Sequence, residues 1–219
     1  MIDGSCDSVA ECTRRMTEVQ EKGIHYMTMA IPGSDEDARK GPAFLLSGPK
    51  EAYDQVESVL SKVAAEKKDR ACVGYLGEGP SAVYVKMVVD ALEYGECQLL
   101  AEVYDLWRQA RLSNTEMAEK FTEWNKTEEE NFLLSITSAI VSKKDADVDG
   151  CKPSDYFLVD RIWDQAPKKK VNTSILSESI LAGASIDMLA NALFERYESS
   201  IKEDRAKSKH FPRVHSFSC

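Results

Sequence analysis

Apolar positions along this chain alternate between helical and extended spacing up to about residue 80, and then keep a helical spacing to near the end. Ser8 to Lys22 repeats at helical intervals and stops at Gly23, and His25 to Ile31 reads as extended chain. A second helix is predicted from Lys50 to Glu66, with Tyr53, Val56, Val59, Leu60 and Val63 on one face, followed by a short strand from Ala71 to Leu76. Residues 1–79 therefore predict the second half of an α/β layer. From Pro80 the pattern predicts an all-α part over residues 80–219, opening with a long helix from about Ser81 to Leu112. Ser113-x-x-Glu116 and Thr127-x-x-Glu130 have the capping-box pattern and are expected to open the next two helices. A helix through Tyr156 to Asp164 and a last one from Ser174 to Ala206, interrupted around Gly183, complete the prediction. Lys207 to Cys219 lacks periodicity.

Composition narrows the function more than the fold. With 43% hydrophobic and 30% charged residues the chain has ordinary globular composition, and its net charge of −9 argues against a nucleic-acid or acidic-lipid surface. No membrane span is expected. Lys168, Lys169 and Lys170 form a local basic group, read as a solvated loop or an anion contact. The six cysteines are scattered, without a C-x-x-C pair or a histidine at ligand spacing, which points to reduced thiols and no metal site. Asp145, Asp147, Asp149 and Gly150 imitate the first half of a calcium loop, but Tyr156 stands at the twelfth position, so a plain turn is expected. No signal peptide is evident and the terminal Cys219 is not in a prenylation box; a cytoplasmic location is the expectation.

Candidate chemistry concentrates on the long helix. At about 100° and 1.5 Å per residue, Lys86, Asp90, Glu93, Tyr94 and Cys97 form one stripe, with Lys86 and Glu93 roughly 10 Å apart. That spacing brackets a small polar substrate. The bland reading is a partly buried polar stripe that serves only helix packing.

The segment Val83 to Leu100 resembles the catalytic helix of the decarboxylating 6-phosphogluconate dehydrogenases, whose motif there runs approximately VKMVHNGIEYGDMQLI. Ile2-Asp3-Gly4, Gly33 through Pro42 (GSDEDARKGP) and Glu123 through Glu128 (EWNKTE) match the same family in order. Phe194 through Arg205 (FERYESSIKEDR) resembles its FARCLSSLKDER. The resemblance runs through nearly the whole chain and covers the middle of a family member. It implies the C-terminal half of a Rossmann-type domain (residues 1–79) and the first part of a helical, dimerising domain (80–219). It further implies NADP-dependent oxidative decarboxylation of 6-phosphogluconate to ribulose 5-phosphate, in the pentose phosphate pathway. No G-x-G-x-x-G follows a strand, since Gly77-Glu78-Gly79 runs into Pro80, so the cofactor-binding residues are unknown.

Carried over residue by residue, Lys86 matches the lysine that takes the proton from the substrate's 3-hydroxyl, and Glu93 the glutamate that protonates the enediol after carbon dioxide leaves. Gly33 and Ser34 fall near the substrate carboxylate, Tyr94 and Arg196 at the phosphate. Several neighbours depart from the pattern: Asp90 replaces an asparagine, Val89 a histidine, Cys6 an asparagine and Pro32 a serine, and Ser34 itself stands for a glycine. Thr173 falls where the phosphate-loop lysine belongs, although Lys170 reaches that place if the loop slips. A base must be able to be neutral near physiological pH, and a carboxylate four residues along the helix favours the protonated lysine instead. The expectation is a family member impaired or inactive in this form. The competing reading, from another class, is a non-catalytic module that pairs with itself or with a full-length relative.

Overall fold

The structure is a computed structural model that describes residues 1–5, 8–33, 35–128, 130–145, 156–166 and 174–208. By its contacts the chain groups into two compact units, one of Met1–Ala91 with Lys169–Ser185 and one of Leu92–Lys168 with Ile186–Cys219. In chain order the first contains β1 (Ile2–Asp3), α1 (Val9–Gln20), β2 (Met27–Ala30), α2 (Asp35–Lys40), β3 (Phe44–Ser47), α3 (Lys50–Leu60), β4 (Glu66–Lys67), β5 (Arg70–Ala71) and β6 (Val73–Tyr75). The long helix α4 (Ser81–Gln109) then contributes to both units.

The first unit is built on a four-stranded sheet of order β1-β2-β3-β6. β1 runs parallel to β2 through the crossover helix α1, and β3 parallel to β6 through α3, while β2 and β3 are antiparallel with Thr28 opposite Ser47. Of the α3 face seen in the sequence, Tyr53 is buried with Ala52, Met27, Phe44 and Leu46, and Val56 and Leu60 cover the margin, whereas Val59 and Val63 are exposed. Each such large apolar side chain contributes about 1.5–3 kcal/mol when fully buried. The helix stops at Leu60, short of the predicted Glu66, because the chain turns and forms the β4–β5 hairpin.

Two buried hydroxyls tie the sheet to α4. Thr28 and Ser47 are both fully buried and hydrogen-bonded to each other at 2.7 Å. Ser47 Oγ also accepts the Ala82 N–H at 2.9 Å, satisfying one of the donors that a helix start leaves open. This fixes the first turn of α4, one turn before Lys86.

In the second unit, α5 (Asn114–Trp124) and α6 (Phe132–Ser142) pack on the later turns of α4. Met117, Phe121, Leu134 and Val141 form the core, with Val103 and Trp107 of α4 against it. The Ser113 capping box is present, with Glu116 N–H donating to Ser113 Oγ and the Glu116 carboxylate accepting the Ser113 N–H. Thr127 and Glu130 do not open α6, contrary to the sequence expectation. The Thr127 hydroxyl donates to the Trp124 carbonyl and finishes α5, while Asn131 Oδ1 accepts the Leu134 N–H and caps α6.

The helix expected from Tyr156 to Asp164 is reduced to one 3-10 turn, Leu158–Asp160. Its approach is extended, held by Asp145 N–H to the Tyr156 carbonyl and Leu158 N–H to the Lys143 carbonyl. The final helical stretch is three helices: α7 (Ser174–Ala182), in the first unit, then α8 (Asp187–Ser199) and α9 (Lys202–Ser208) in the second. The first break falls at Gly183, whose φ of +63° closes α7. Among the described residues no helix is long and apolar enough to cross a membrane.

Candidate active site

Lys86 and Asp90 lie on the margin of the α4 face that buries Ala82, Val83, Met87 and Ala91. Their i, i+4 spacing brings them together: Lys86 Nζ donates to both carboxylate oxygens of Asp90, at 2.8 and 2.6 Å. Both side chains are 21% exposed, so the pair is partly shielded from water but open to a ligand. The ammonium is thereby engaged by the carboxylate that the sequence placed against it. Glu93 lies further along α4 and is exposed.

Tyr94 and Arg196 meet in the second unit. Gly95 makes this possible, because a Cβ there would lie 2.7 Å from a Leu189 methyl and 2.9 Å from the Met188 terminus. With no side chain in the way α8 lies close on α4, and the Arg196 guanidinium sits 4.9 Å from the Tyr94 ring centre. The Arg196 Nε is buried, and among the described residues no acceptor reaches it. The two residues line a cavity of about 600 Å³ together with Cys97, Gln98, Glu102 and Glu195. Burial, with the Glu96 and Glu93 carboxylates, pushes the Cys97 thiol up against the opposing effect of Arg196, which makes it a poor nucleophile.

Gly33 follows β2 with a φ of +104°, and a Cβ on it would meet the Asp37 carboxylate at 3.1 Å. An acidic side chain therefore stands over the glycine that the resemblance assigns to carboxylate binding, a feature the sequence reading did not single out. Its signal was present only as three acidic residues after Ser34. Ser34, Cys6, the basic group Lys168 to Lys170 and Thr173 lie outside the described residues, as does the calcium-loop imitation apart from Asp145. Asp145 faces Arg161 at 3.9 Å, and among the described residues no group of three or more metal-ligating side chains occurs.

One strand-to-helix turn of this sheet, from β6 to α4, carries two glycines. Gly77 and Gly79 have φ of +100° and +65°. Between them stands the Glu78 carboxylate, Pro80 has no N–H, and the Ser81 hydroxyl is turned to the Glu78 carbonyl at 2.6 Å. The residues of this turn do not fit a pyrophosphate.

A mixed sheet built on α-helical crossovers, followed by a long helix and a helical unit, defines the architecture. The same fold occurs in a 3-hydroxyisobutyrate dehydrogenase of Salmonella typhimurium, with a TM-score of 0.64, 14% identity, and 90% of this chain and 62% of that one covered. The chain belongs to the 6-phosphogluconate dehydrogenase family: residues 1–77 match the NAD binding domain of 6-phosphogluconate dehydrogenase and residues 82–216 match its C-terminal domain. It is 39% identical over 206 residues to a chloroplastic decarboxylating 6-phosphogluconate dehydrogenase of Arabidopsis thaliana, covering 94% of this chain and 41% of that protein. The Plasmodium falciparum 6-phosphogluconate dehydrogenase, solved in apo form and with its cofactor NADP+ and its substrate 6-phosphogluconate, superposes with a TM-score of 0.87 at 32% identity. That comparison covers 98% of this chain and 46% of the Plasmodium one. The chain thus spans less than half the length of these family members.

Proposed function

We propose that this chain is a 6-phosphogluconate dehydrogenase-family protein that holds an anionic phosphosugar but is impaired in the proton-abstraction step. The observation that carries this reading is the contact of Lys86 Nζ with both oxygens of Asp90. In the family reaction the lysine at this place must accept the proton of the substrate hydroxyl. Lys86 is here a hydrogen-bond donor to a carboxylate, and to act as a base it would have to leave that partner. Glu93 keeps the place of the acid, yet has no enediol to protonate when the first step fails. In a family member NADP would supply the hydride acceptor, and the Glu78 carboxylate and Pro80 of the β6–α4 turn do not help to hold it.

Binding is a separate matter. The Arg196 guanidinium, which lines the cavity beside the Tyr94 ring, supports recognition of a phosphate there, since guanidinium donors are matched to phosphate oxygens. Residues 1–79 are read as the partial Rossmann-type coenzyme domain and 80–219 as the incomplete helical domain of the family, in a cytoplasmic protein. The test is twofold. No NADPH should form when the chain is mixed with NADP and 6-phosphogluconate, and Arg196→Ala should weaken phosphosugar binding by at least about tenfold in a calorimetric titration. Turnover by the parent chain that disappears in Lys86→Ala would restore Lys86 as a working base and defeat the proposal.

A second reading rests on α7, where Ile180 and Leu181 are 79% and 82% exposed. Adjacent apolar side chains this open favour a partner, either a second copy or a full-length relative. Sedimentation of the chain alone and with such a relative, repeated with Ile180→Asp, tests it: a monomer that ignores the relative removes this reading.

A further inference from the structure

The charges around the cavity beside Tyr94 narrow what it would hold, an inference that rests on the reading above that a phosphosugar is bound there. All of its walls belong to the second unit, with Tyr94, Gln98, Glu102 and Asp105 on α4 and Glu195 and Arg196 on α8. Against the Arg196 guanidinium stand the carboxylates of Glu102, Asp105 and Glu195, so the lining is net negative. Gln98 Nε2 donates to Glu102 at 3.0 Å and Gln109 Nε2 to Asp105 at 2.6 Å. An amide donor satisfies a carboxylate oxygen without cancelling its charge. The Gln98 bond also draws the Glu102 carboxylate back along α4 toward Tyr94, whose backbone lies about 12 Å of helix rise earlier.

Glu195 immediately precedes Arg196, is exposed, and lines the same cavity. It stands where the stretch FARCLSSLKDER, which Phe194 through Arg205 resembles, has alanine. A phosphate held by Arg196 therefore sits in a field to which this chain adds a carboxylate. A ligand with only hydroxyls beside its phosphate leaves that repulsion uncompensated, whereas one that brings an ammonium replaces it with attraction. The guanidinium and the carboxylates then pair with opposite charges of a single ligand.

We propose that this cavity takes a sugar phosphate carrying an ammonium group, with the phosphate at Arg196 and the ammonium among the carboxylates, and that Glu195 is the specificity-determining residue for the amine.

Calorimetric titration with glucosamine 6-phosphate and with glucose 6-phosphate, at slightly acidic pH where the amine keeps its proton, tests this directly. The two compounds differ only in an ammonium against a hydroxyl at one ring carbon. Glucosamine 6-phosphate is expected to bind at least about tenfold tighter to the parent chain. In Glu195→Gln, which keeps the shape and removes the charge, the preference is expected to shrink below about threefold. Equal affinities in the parent chain, or an unchanged preference in Glu195→Gln, would overturn the specificity assignment while leaving phosphosugar binding in place. If neither compound binds the parent chain, or if Arg196→Ala leaves the binding of both unchanged, this inference and the phosphate reading on which it rests fall together.

Discussion

Replacing Asp3 by asparagine asks whether charge or shape holds the edge of the sheet. The Asp3 carboxylate accepts from the Tyr26 hydroxyl, from the Ser5 N–H at 2.9 Å and from Arg15 at 3.1 Å. Burial pushes this carboxyl up, but the hydrogen bonds from Tyr26, Ser5 and Arg15 together outweigh it and hold it below the usual carboxylate range. A hydrogen bond to a charged group is worth about 1.5–3 kcal/mol, and asparagine keeps one acceptor oxygen, so Asp3→Asn should cost about 2 kcal/mol at neutral pH. With a urea dependence of about 2 kcal/mol per molar, the midpoint falls by about 1 M. Folded Asp3 binds its proton less tightly than an unfolded aspartate, whose pKa is about 3.9. Its stabilisation is therefore complete above that value and is lost as pH falls through it toward the lower folded one. The deficit of Asp3→Asn should accordingly shrink between about pH 5 and about pH 3. Urea titrations followed by circular dichroism at neutral and acidic pH measure this, and a deficit that stays constant across the range would refute the charge account.

Four further substitutions probe the packing and caps of the two units. Gly48 has a φ of +135°, and a Cβ there would lie 2.7 Å from the Tyr26 carbonyl oxygen, so Gly48→Ala should destabilise the first unit by about 3 kcal/mol or more. An unchanged melting temperature would contradict it. Phe121 is fully buried, 5.0 Å from the Trp107 ring and 6.0 Å from the Trp124 ring. Phe121→Ala should cost about 3–5 kcal/mol and shift the tryptophan emission to the red as water reaches the cluster, both readable in one urea titration. Asn131→Ala should cost about 1 kcal/mol through loss of the α6 cap. Thr127→Ala should leave the start of α6 intact, and amide exchange at Leu134 separates the two.

Local signals were readable in the sequence and long-range ones were not. The α4 period and the Ser113 capping box depend on residues a few positions apart, and both are seen in the structure. The Lys86–Asp90 contact is equally local, and it was foreseen from i, i+4 spacing alone. β3 was missed because Phe44–Ser47 is only four residues, three of them buried, and so has no alternation to detect. Thr127-x-x-Glu130 misled because a capping-box pattern does not say whether its hydroxyl closes the helix before or opens the one after. The neighbours of the two candidate groups differ in the same way. Asp37 stands over Gly33 through a turn, and Arg196 reaches Tyr94 from another helix; neither geometry follows from spacing within one element.

That difference bears on how each candidate group responds to chain beyond these residues. Arg196 lies over Tyr94 because α8 packs on α4 at Gly95, so its orientation depends on tertiary packing, which further segments can reinforce or redirect. Lys86 and Asp90 are one helical turn apart on the same helix, and any state in which that turn is formed keeps them within reach of each other. A nucleotide-binding segment supplied by a longer chain or a partner could complete the grip on a cofactor, but it would not remove Asp90 from Lys86. The Lys86–Asp90 contact should therefore persist in any assembly that contains this helix. Asp90→Asn is the substitution that separates the effect of this contact from every other departure in the chain.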